Sequence, residues 1–467
     1  MPEQYNAKGV FPVQVRGRVP IDPLNLAIRR DDRKCILCGQ CVEACERVQT
    51  VMGHYDLPLI DQIPCIDCGQ CTLWCPTGAI TEVDDTAKVI RALENPDLHV
   101  VVQTAPATRV ALGEEFGMPP GTDIELQQVA ALKALGFDTV LDTNFSADLT
   151  IMEEATELVE RLHGKGPLPQ FTSCSPGWVK FCEMFYPEFI PNLSSAKSPM
   201  TMLGAMIKTH YAKVRGIDPA KIVSVAIMPC TAKKSEAARP EMNGAGMLWE
   251  KPEIRDIDIV LTTRELARLI KSRQIDLAEL KPQPYDRLLS EYSGAGVLFG
   301  VTGGVMEAAV RTGYYLASGK RPPDALLDLQ PVRGLKGIKE ATVDIPGAGQ
   351  IRVAVCSGMS NARPVLDAIR KGEKHWHFVE FMGCPGGCIA GGGQPRSALP
   401  PSDAVRTARM NALYSLDERQ TVRLSYENSE IKAIYDNFLG KPCGELPHRL
   451  LHTHYQDRSM HLNAKKA

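Results

Sequence analysis

Lys221–Cys230 reads KIVSVAIMPC, and this stretch decides the fold class. A strand with one wet face alternates apolar and polar residues. This run is almost unbroken Ile, Val, Ala and Met, as in strands buried on both faces of a parallel sheet. Working outward, similar runs occur at HVVVQTAP (99–106), TVLDT (139–143), DIDIVLTT (256–263), IRVAVCSG (351–358) and HFVEFMGC (377–384). Helical patterns lie between them, including DIELQQVAALKALG (123–136) and TTRELARLIKSR (262–273). In the second, Thr262 or Thr263 precedes Glu265 as an N-terminal cap. Strand–helix alternation of this length predicts α/β architecture. Surface loops are expected at LKPQPYD (280–286) and Ser318–Pro323. From about Asp403 the chain turns polar and helical and ends in a basic tail, NAKKA, expected to be disordered.

The strand ends carry the chemistry. Cys230 ends one strand, Cys384 a second, and Thr104-Ala105-Pro106 a third. Ligands of open α/β sheets bind outside the carboxyl ends of strands, so three ends converge on one candidate site. Around Cys384 the chain reads FMGCPGGCIAGGGQP, with Cys388 close by and six Gly between Gly383 and Gly393. Such a loop lets backbone approach a large ligand and present N–H groups to it. MPCTAKKSE (228–236) sets Lys233 beside Cys230, and FTSCSPGW adds Cys174. Each alone reads as a buried thiol or a solvated lysine. Their weight lies in occurring together.

The 467 residues include 15 Cys, and eight of them fall between Cys35 and Cys75. CILCGQCVEAC (35–45) and CIDCGQCTLWC (65–75) form an internal repeat, each C-x2-C-x2-C-x3-C. A unit of this size cannot bury a core alone, and a metal cluster would hold it. The spacing is that of two-cluster bacterial ferredoxins, in which the fourth Cys of each run ligates the other cluster. Cys35, Cys38, Cys41 and Cys75 would hold one [4Fe–4S] cluster, and Cys65, Cys68, Cys71 and Cys45 the second. Pro76 matches the ferredoxin pattern, and Glu46 departs from it. Zinc, with its two separated C-x2-C pairs, fits poorly.

Composition bounds the rest. Hydrophobic residues make up 44% and charged residues 23%, and Lys+Arg 53 against Asp+Glu 55 leaves a net charge of −2. That excludes a disordered chain and gives no reason to expect a nucleic-acid partner. An odd Cys count in a long chain argues against a disulfide scaffold. No signal peptide and no apolar run of about 18–20 residues is present, so a cytoplasmic protein without a membrane span is expected.

TSCSPGW (172–178), MPCTAKKSE (228–236) and EFMGCPGGCIAGGGQP (380–395) together resemble the motifs of [FeFe]-hydrogenases. IMEEATELVERL, NLSSAKSP, RDIDIVLTTREL and EYSGAGVLFGVTGGVMEAA add to the likeness, which runs from about His99 to His452. The resemblance implies an α/β catalytic domain of two lobes, with parallel or mixed sheets around a buried metal cluster. A small α+β ferredoxin-like domain would precede it. The implied boundaries are an N-terminal extension over 1–25, the two-cluster domain over 26–90, the catalytic domain over 95–440, and a small-subunit-like wrap and tail over 441–467. The Cys-free first 34 residues offer no ligands for further N-terminal clusters.

The resemblance also implies an H-cluster, a [4Fe–4S] cubane joined through one Cys to a diiron centre carrying CO, cyanide and a bridging dithiolate amine. Cys230 and Cys384 resemble cubane ligands, and Cys388 the ligand that bridges to the diiron centre. Ala105, Pro106, Met228, Lys233 and Met382 resemble the residues that line that centre. Cys174 resembles the thiol that passes protons to the bridging amine, with Glu154, Ser194, Glu157 and Arg161 onward. Glu154, Glu157 and Arg161 share one helix face, as a relay requires; without the motifs they would read as an exposed salt-bridged helix.

One position departs from the family. Ser175 stands where the family has a cubane Cys. Ser175 could ligate as an alkoxide, Cys174 could replace it, or the cubane could be labile. The implied activity is reversible 2H+ + 2e− = H2, with ferredoxin or a similar carrier and with maturation proteins supplying the diiron centre. A hydrogen-sensing or low-activity homologue is the alternative that Ser175 motivates. A plain iron–sulfur carrier or cluster-assembly relative would leave Cys388, Lys233 and Met382 without purpose. Cys182, Cys356 and Cys443 read as packing thiols.

Overall fold

A computed structural model describes residues 16–55 and 63–462, so the NAKKA tail and most of the N-terminal extension lie outside the described residues. In the N-terminal module β1 (Ile28–Arg30) pairs antiparallel with β2 (Ile80–Glu82), Ile28 opposite Glu82. The two copies of the Cys repeat fold alike. Leu37 and Asp67 take left-handed φ of 56° and 58°, and Gly39 and Gly69 follow at 79° and 67°. These turns wrap the thiols before the short helices Gln40–Glu43 and Gln70–Trp74.

Two sheets build the catalytic lobes. β3 (His99–Thr104), β4 (Thr139–Asp142), β6 (Ile222–Met228) and β7 (Ile259–Thr262) lie in the order β4-β3-β6-β7, all parallel. β5 (Gln170–Phe171), β8 (Ile338–Ile345), β9 (Gly349–Ser357) and β10 (Phe378–Met382) form the other in the order β5-β10-β9-β8. Only β8 runs antiparallel there.

The unbroken apolar runs are explained by two-sided burial. Val100, Val102, Val225 and Ile227 pack with Val129, Leu132, Leu266 and Ile270 of the helices Glu125–Leu135 and Thr263–Ser272. Val101 packs instead with Leu141, Phe145, Met202 and Met206. In the second sheet Val353, Val355 and Phe378 meet the helix Gly304–Ser318, while Ala354, Val379 and Phe381 meet Phe171 and Trp178. Trp178 stacks on Phe381 with ring centroids 3.9 Å apart.

The six expected strands correspond to β3, β4, β6, β7, β9 and β10, and both expected helices are present. Thr262 is the N-cap, in a reciprocal capping box with Glu265. β8 escapes a search for apolar runs because it is an edge strand with the polar pattern IKEATVDI. β1, β2 and β5, of two or three residues, are too short to show a period. The helix Asp403–Arg419 opens the C-terminal region, which closes with a bridge from His452 to Ala196. No described helix is long and apolar enough to cross a membrane.

Candidate active site

Four parallel strands deliver the site. β3 ends at Ala105 and Pro106, β6 at Met228 and Cys230, β10 at Met382 and Cys384, and β5 leads into Cys174 and Ser175. All eight line one buried cavity between the sheets, together with Lys233 and Cys388. Cys388 starts a tight turn after Gly386 and Gly387, both at φ 92°. Thr143, Pro199, Met200 and Phe299 complete the wall. Nothing in single-position chemistry marks these four, although Phe299 and Pro199 lie within family-like stretches.

The glycine-rich loop also serves protein packing. A Cβ on Gly391 would lie 2.2 Å from the Pro229 carbonyl oxygen, and one on Gly392 2.2 Å from that of Cys68. The missing side chains let protein backbone approach here, while Gly383, Gly387 and Gly391 also line the cavity. Through this loop the second Cys repeat docks on the catalytic domain. Thr231 Oγ1 donates to Asp67 O at 2.6 Å, Gln70 Nε2 to Ala390 O at 2.8 Å, and Thr72 Oγ1 to Gly392 O at 2.9 Å.

Electrostatics bear on what the cavity can hold. Burial pushes the Cys388 thiol up to about 12, the neighbouring Cys230 adds to this, and Lys233 opposes it. Burial likewise raises Cys230 and Cys384. One lysine does not sustain several buried thiolates, whereas a bound metal cluster does. The donor set therefore fits an iron–sulfur group. Lys233 is held in place, donating to Cys174 O at 3.1 Å and pairing with Glu236 at 2.6 Å. Ser175 occupies the N-cap of the helix Pro176–Phe185 without capping it. Its Oγ instead accepts the Gly383 N–H at 3.0 Å, across to the loop that carries Cys384.

Glu154, Glu157 and Arg161 lie along the helix Thr143–Leu162. Arg161 donates to Glu157 Oε1 at 2.6 Å, and Ser194 Oγ donates to Glu157 Oε2 at 2.6 Å. The guanidinium also ties down the carbonyls of Pro167, Asn192 and Leu193. Both carboxyl oxygens of Glu154 are buried, with no side-chain or backbone partner in hydrogen-bond geometry among the described residues. Burial, with the Glu157 and Glu380 carboxylates nearby, holds Glu154 well above the usual carboxyl range. Burial and the Glu154 carboxylate raise the Cys174 thiol too, against the pull of Lys233.

The eight N-terminal thiols lie in two groups. Cys45, Cys65, Cys68 and Cys71 line a single small cavity. Burial raises the Cys41 thiol, and the thiolates that add to this are Cys35, Cys75 and Cys38. Cys38 is exposed. Burial and then Cys384 raise Cys68, so the inner set adjoins the catalytic cavity.

The sequence motifs that make this dock could not show it. Arg264 bonds Gly392 O at 2.9 Å, Gln394 O at 2.6 Å and Thr72 Oγ1 at 3.0 Å, and it pairs with Glu82 of β2. Cys182 and Cys356 are fully buried in the core around Trp178, as packing thiols should be. Cys443 is tied to Glu153, its N–H donating to Oε2 at 2.7 Å.

Comparison with known proteins agrees with this geometry. Residues 98–392 match the model of the iron only hydrogenase large subunit, C-terminal domain, and residues 403–458 match that of the iron hydrogenase small subunit. The NADP-reducing hydrogenase subunit HndD of Solidesulfovibrio fructosivorans is 45% identical over 93% of this chain and 75% of its own length. Iron hydrogenase 1 of Clostridium pasteurianum is 42% identical over 97% of this chain and 80% of its own. An apo structure of the [FeFe]-hydrogenase HydA1 from Chlamydomonas reinhardtii superposes with a TM-score of 0.71 at 43% identity, over 80% of this chain and 99% of that one. The chain belongs to the [FeFe]-hydrogenase family and is an oxidoreductase of the hydrogenase type.

Proposed function

We propose that this protein interconverts protons and H2 at an H-cluster held by Cys230, Cys384, Cys388 and Ser175. Electrons are exchanged through two [4Fe–4S] clusters with ferredoxin or a similar carrier. The observation that carries the reading is the convergence of four Cys, Ser175, Lys233 and three Met on one largely apolar cavity beside the inner four-thiol cavity. When bound, the H-cluster supplies the two-electron chemistry of hydrogen. The protein supplies position, a dry pocket and protons. Ala105, Pro106, Met228 and Met382 would help to hold the diiron part, and the Lys233 ammonium would offer a cation to its anionic groups.

Protons travel by Glu157, Ser194, Glu154 and Cys174. Glu157 is the half-buried outer member, held by Arg161 and Ser194. Glu154 and Cys174 both keep their protons in the dry interior, as groups must that pass a proton on without becoming stranded as charges. Cys35, Cys38, Cys41 and Cys75 hold the outer cluster, where Cys38 meets solvent and a carrier can approach. Cys45, Cys65, Cys68 and Cys71 hold the inner one.

Ser175 makes a fourth cubane ligand of alkoxide type. An alkoxide buried in this pocket needs a donor, and the Gly383 N–H is one. This harder ligand also favours a second reading, a hydrogen-sensing or low-activity homologue. Assembly with the diiron cofactor, through maturation proteins or chemically, followed by a hydrogen assay with reduced viologen, tests the enzyme reading. Absence of H2 from fully metallated protein overturns it. Slow turnover with a clear infrared response to H2 supports the sensor.

A further inference from the structure

The inner four-thiol cavity contains one polar side chain that the hydrogen bonds of the fold leave out. Gln49 is 1% exposed and lines the cavity with Cys45, Cys65, Cys68 and Cys71. Neither its Nε2 nor its Oε1 has a partner among the described residues. Burying an amide unpaired costs about 1–3 kcal/mol, so a native fold rarely leaves one so. The other buried glutamines show the rule. Gln70, Gln103, Gln128, Gln170 and Gln394 all place their Nε2 on an oxygen, at 2.8 to 3.1 Å.

Gln49 is held in place from both sides. Its own N–H bonds Ala44 O at 3.0 Å, closing the helical turn Ala44–Val48 that carries Cys45. Thr50, which follows at a left-handed φ of 48°, is clamped by Arg363 through its hydroxyl at 2.9 Å and its carbonyl at 2.6 Å. Val19, Val51, Met52 and Ile66 form apolar wall. The internal repeat supplies a control. Gln49 is the fourth residue after Cys45, and the fourth after Cys75 is Ala79. The outer thiol set has no side-chain amide at the matching place, and what its Cys75 meets instead is the Thr77 hydroxyl at 3.7 Å.

We infer that the Gln49 amide donates to a sulfur of the cluster held by Cys45, Cys65, Cys68 and Cys71, and so sets its reduction potential above that of the same cluster without the bond. Hydrogen bonds to cluster sulfur withdraw electron density and favour the reduced state. Gln49 is a positioning residue in this role. The inference rests on the reading that these four thiols hold a cluster.

The test is an EPR redox titration of the full-length, metal-loaded protein against Gln49→Leu and Gln49→Met, with iron content measured on each. The inner cluster should become harder to reduce in both variants. Its reduced-to-oxidised ratio at the native midpoint should fall roughly tenfold, about 59 mV for one electron. The outer cluster should not move. An unchanged inner midpoint with full iron content overturns the inference. Equal shifts of both clusters overturn it too, because the effect is then not local. Loss of the inner cluster in both variants also overturns it, since Gln49 is then needed for assembly. Native protein with iron and EPR signals for only one N-terminal cluster refutes instead the cluster reading on which it rests.

Discussion

Arg264 is where the N-terminal module and the catalytic domain are held together, and Arg264→Met measures that hold. The guanidinium reaches Thr72 in the second Cys repeat, Gly392 and Gln394 in the glycine-rich loop, and Glu82 in β2. Burial alone would raise the Glu82 carboxyl, but Arg264 first and then Arg268 bring it down from 4.5 to about 2. At about 1.36 kcal/mol per unit, that depression contributes about 3 kcal/mol at neutral pH. The contribution is present above pH 4.5 and is lost as pH falls toward 2. Arg268, which keeps its own contact with Glu82 at 2.6 Å, is nearly half exposed and retains only part of it. The Gln394 carbonyl also loses the Arg264 donor, and the Gly392 carbonyl is left with Thr72 Oγ1. A loss of about 2–4 kcal/mol follows, in line with the removal of one partner from a buried pair. Amide hydrogen exchange of the loaded protein at pH 7 reads it directly. The β1–β2 pair should exchange about a hundredfold faster in the variant if it opens as a unit, with little change in β9 and β10. Unchanged exchange in this pair, with the variant folded, would refute the coupling through Arg264.

Cys174→Ala should cut hydrogen turnover by at least roughly a hundredfold, as for other lost proton-transfer groups, while the infrared bands of CO and cyanide stay in place. Full turnover would remove Cys174 from the relay. Ser175→Cys replaces a hard donor by a soft one, so the cubane midpoint in an EPR titration should rise at constant iron content; no shift would show that Ser175 is not a ligand. Gly392→Ala places a Cβ 2.2 Å from Cys68 O and 2.7 Å from Gly69 Cα, backbone that does not yield. It should cost about 1–3 kcal/mol in thermal unfolding, and an unchanged melting temperature would contradict the close docking of the two loops.

Much of this protein is local in its sequence. Strands buried on both faces announce themselves, because both faces favour apolar residues, and β3, β6 and β10 are read from their apolar runs. The thiol sets are read from spacing, because a cluster fixes how far apart its ligands stand along the chain. The place of the site at the strand ends follows from parallel topology, and Ser175 stands out against the family pattern. The edge strand β8 is hidden, because one wet side lets polar residues in.

What joins distant segments was decided only by the tertiary structure. Gly391 and Gly392 suggest an approach to a ligand, and the fold shows that they also let the backbone of Pro229 and Cys68 come close. The partners of Arg264 lie as far away as Glu82, and no pattern along the chain pairs them. Gln49 is one more polar residue after a Cys until the fold encloses it with four thiols and gives its amide no oxygen to bond. Hydrogen-bond satisfaction is a property of the space around a group, and that space exists only once the chain has folded.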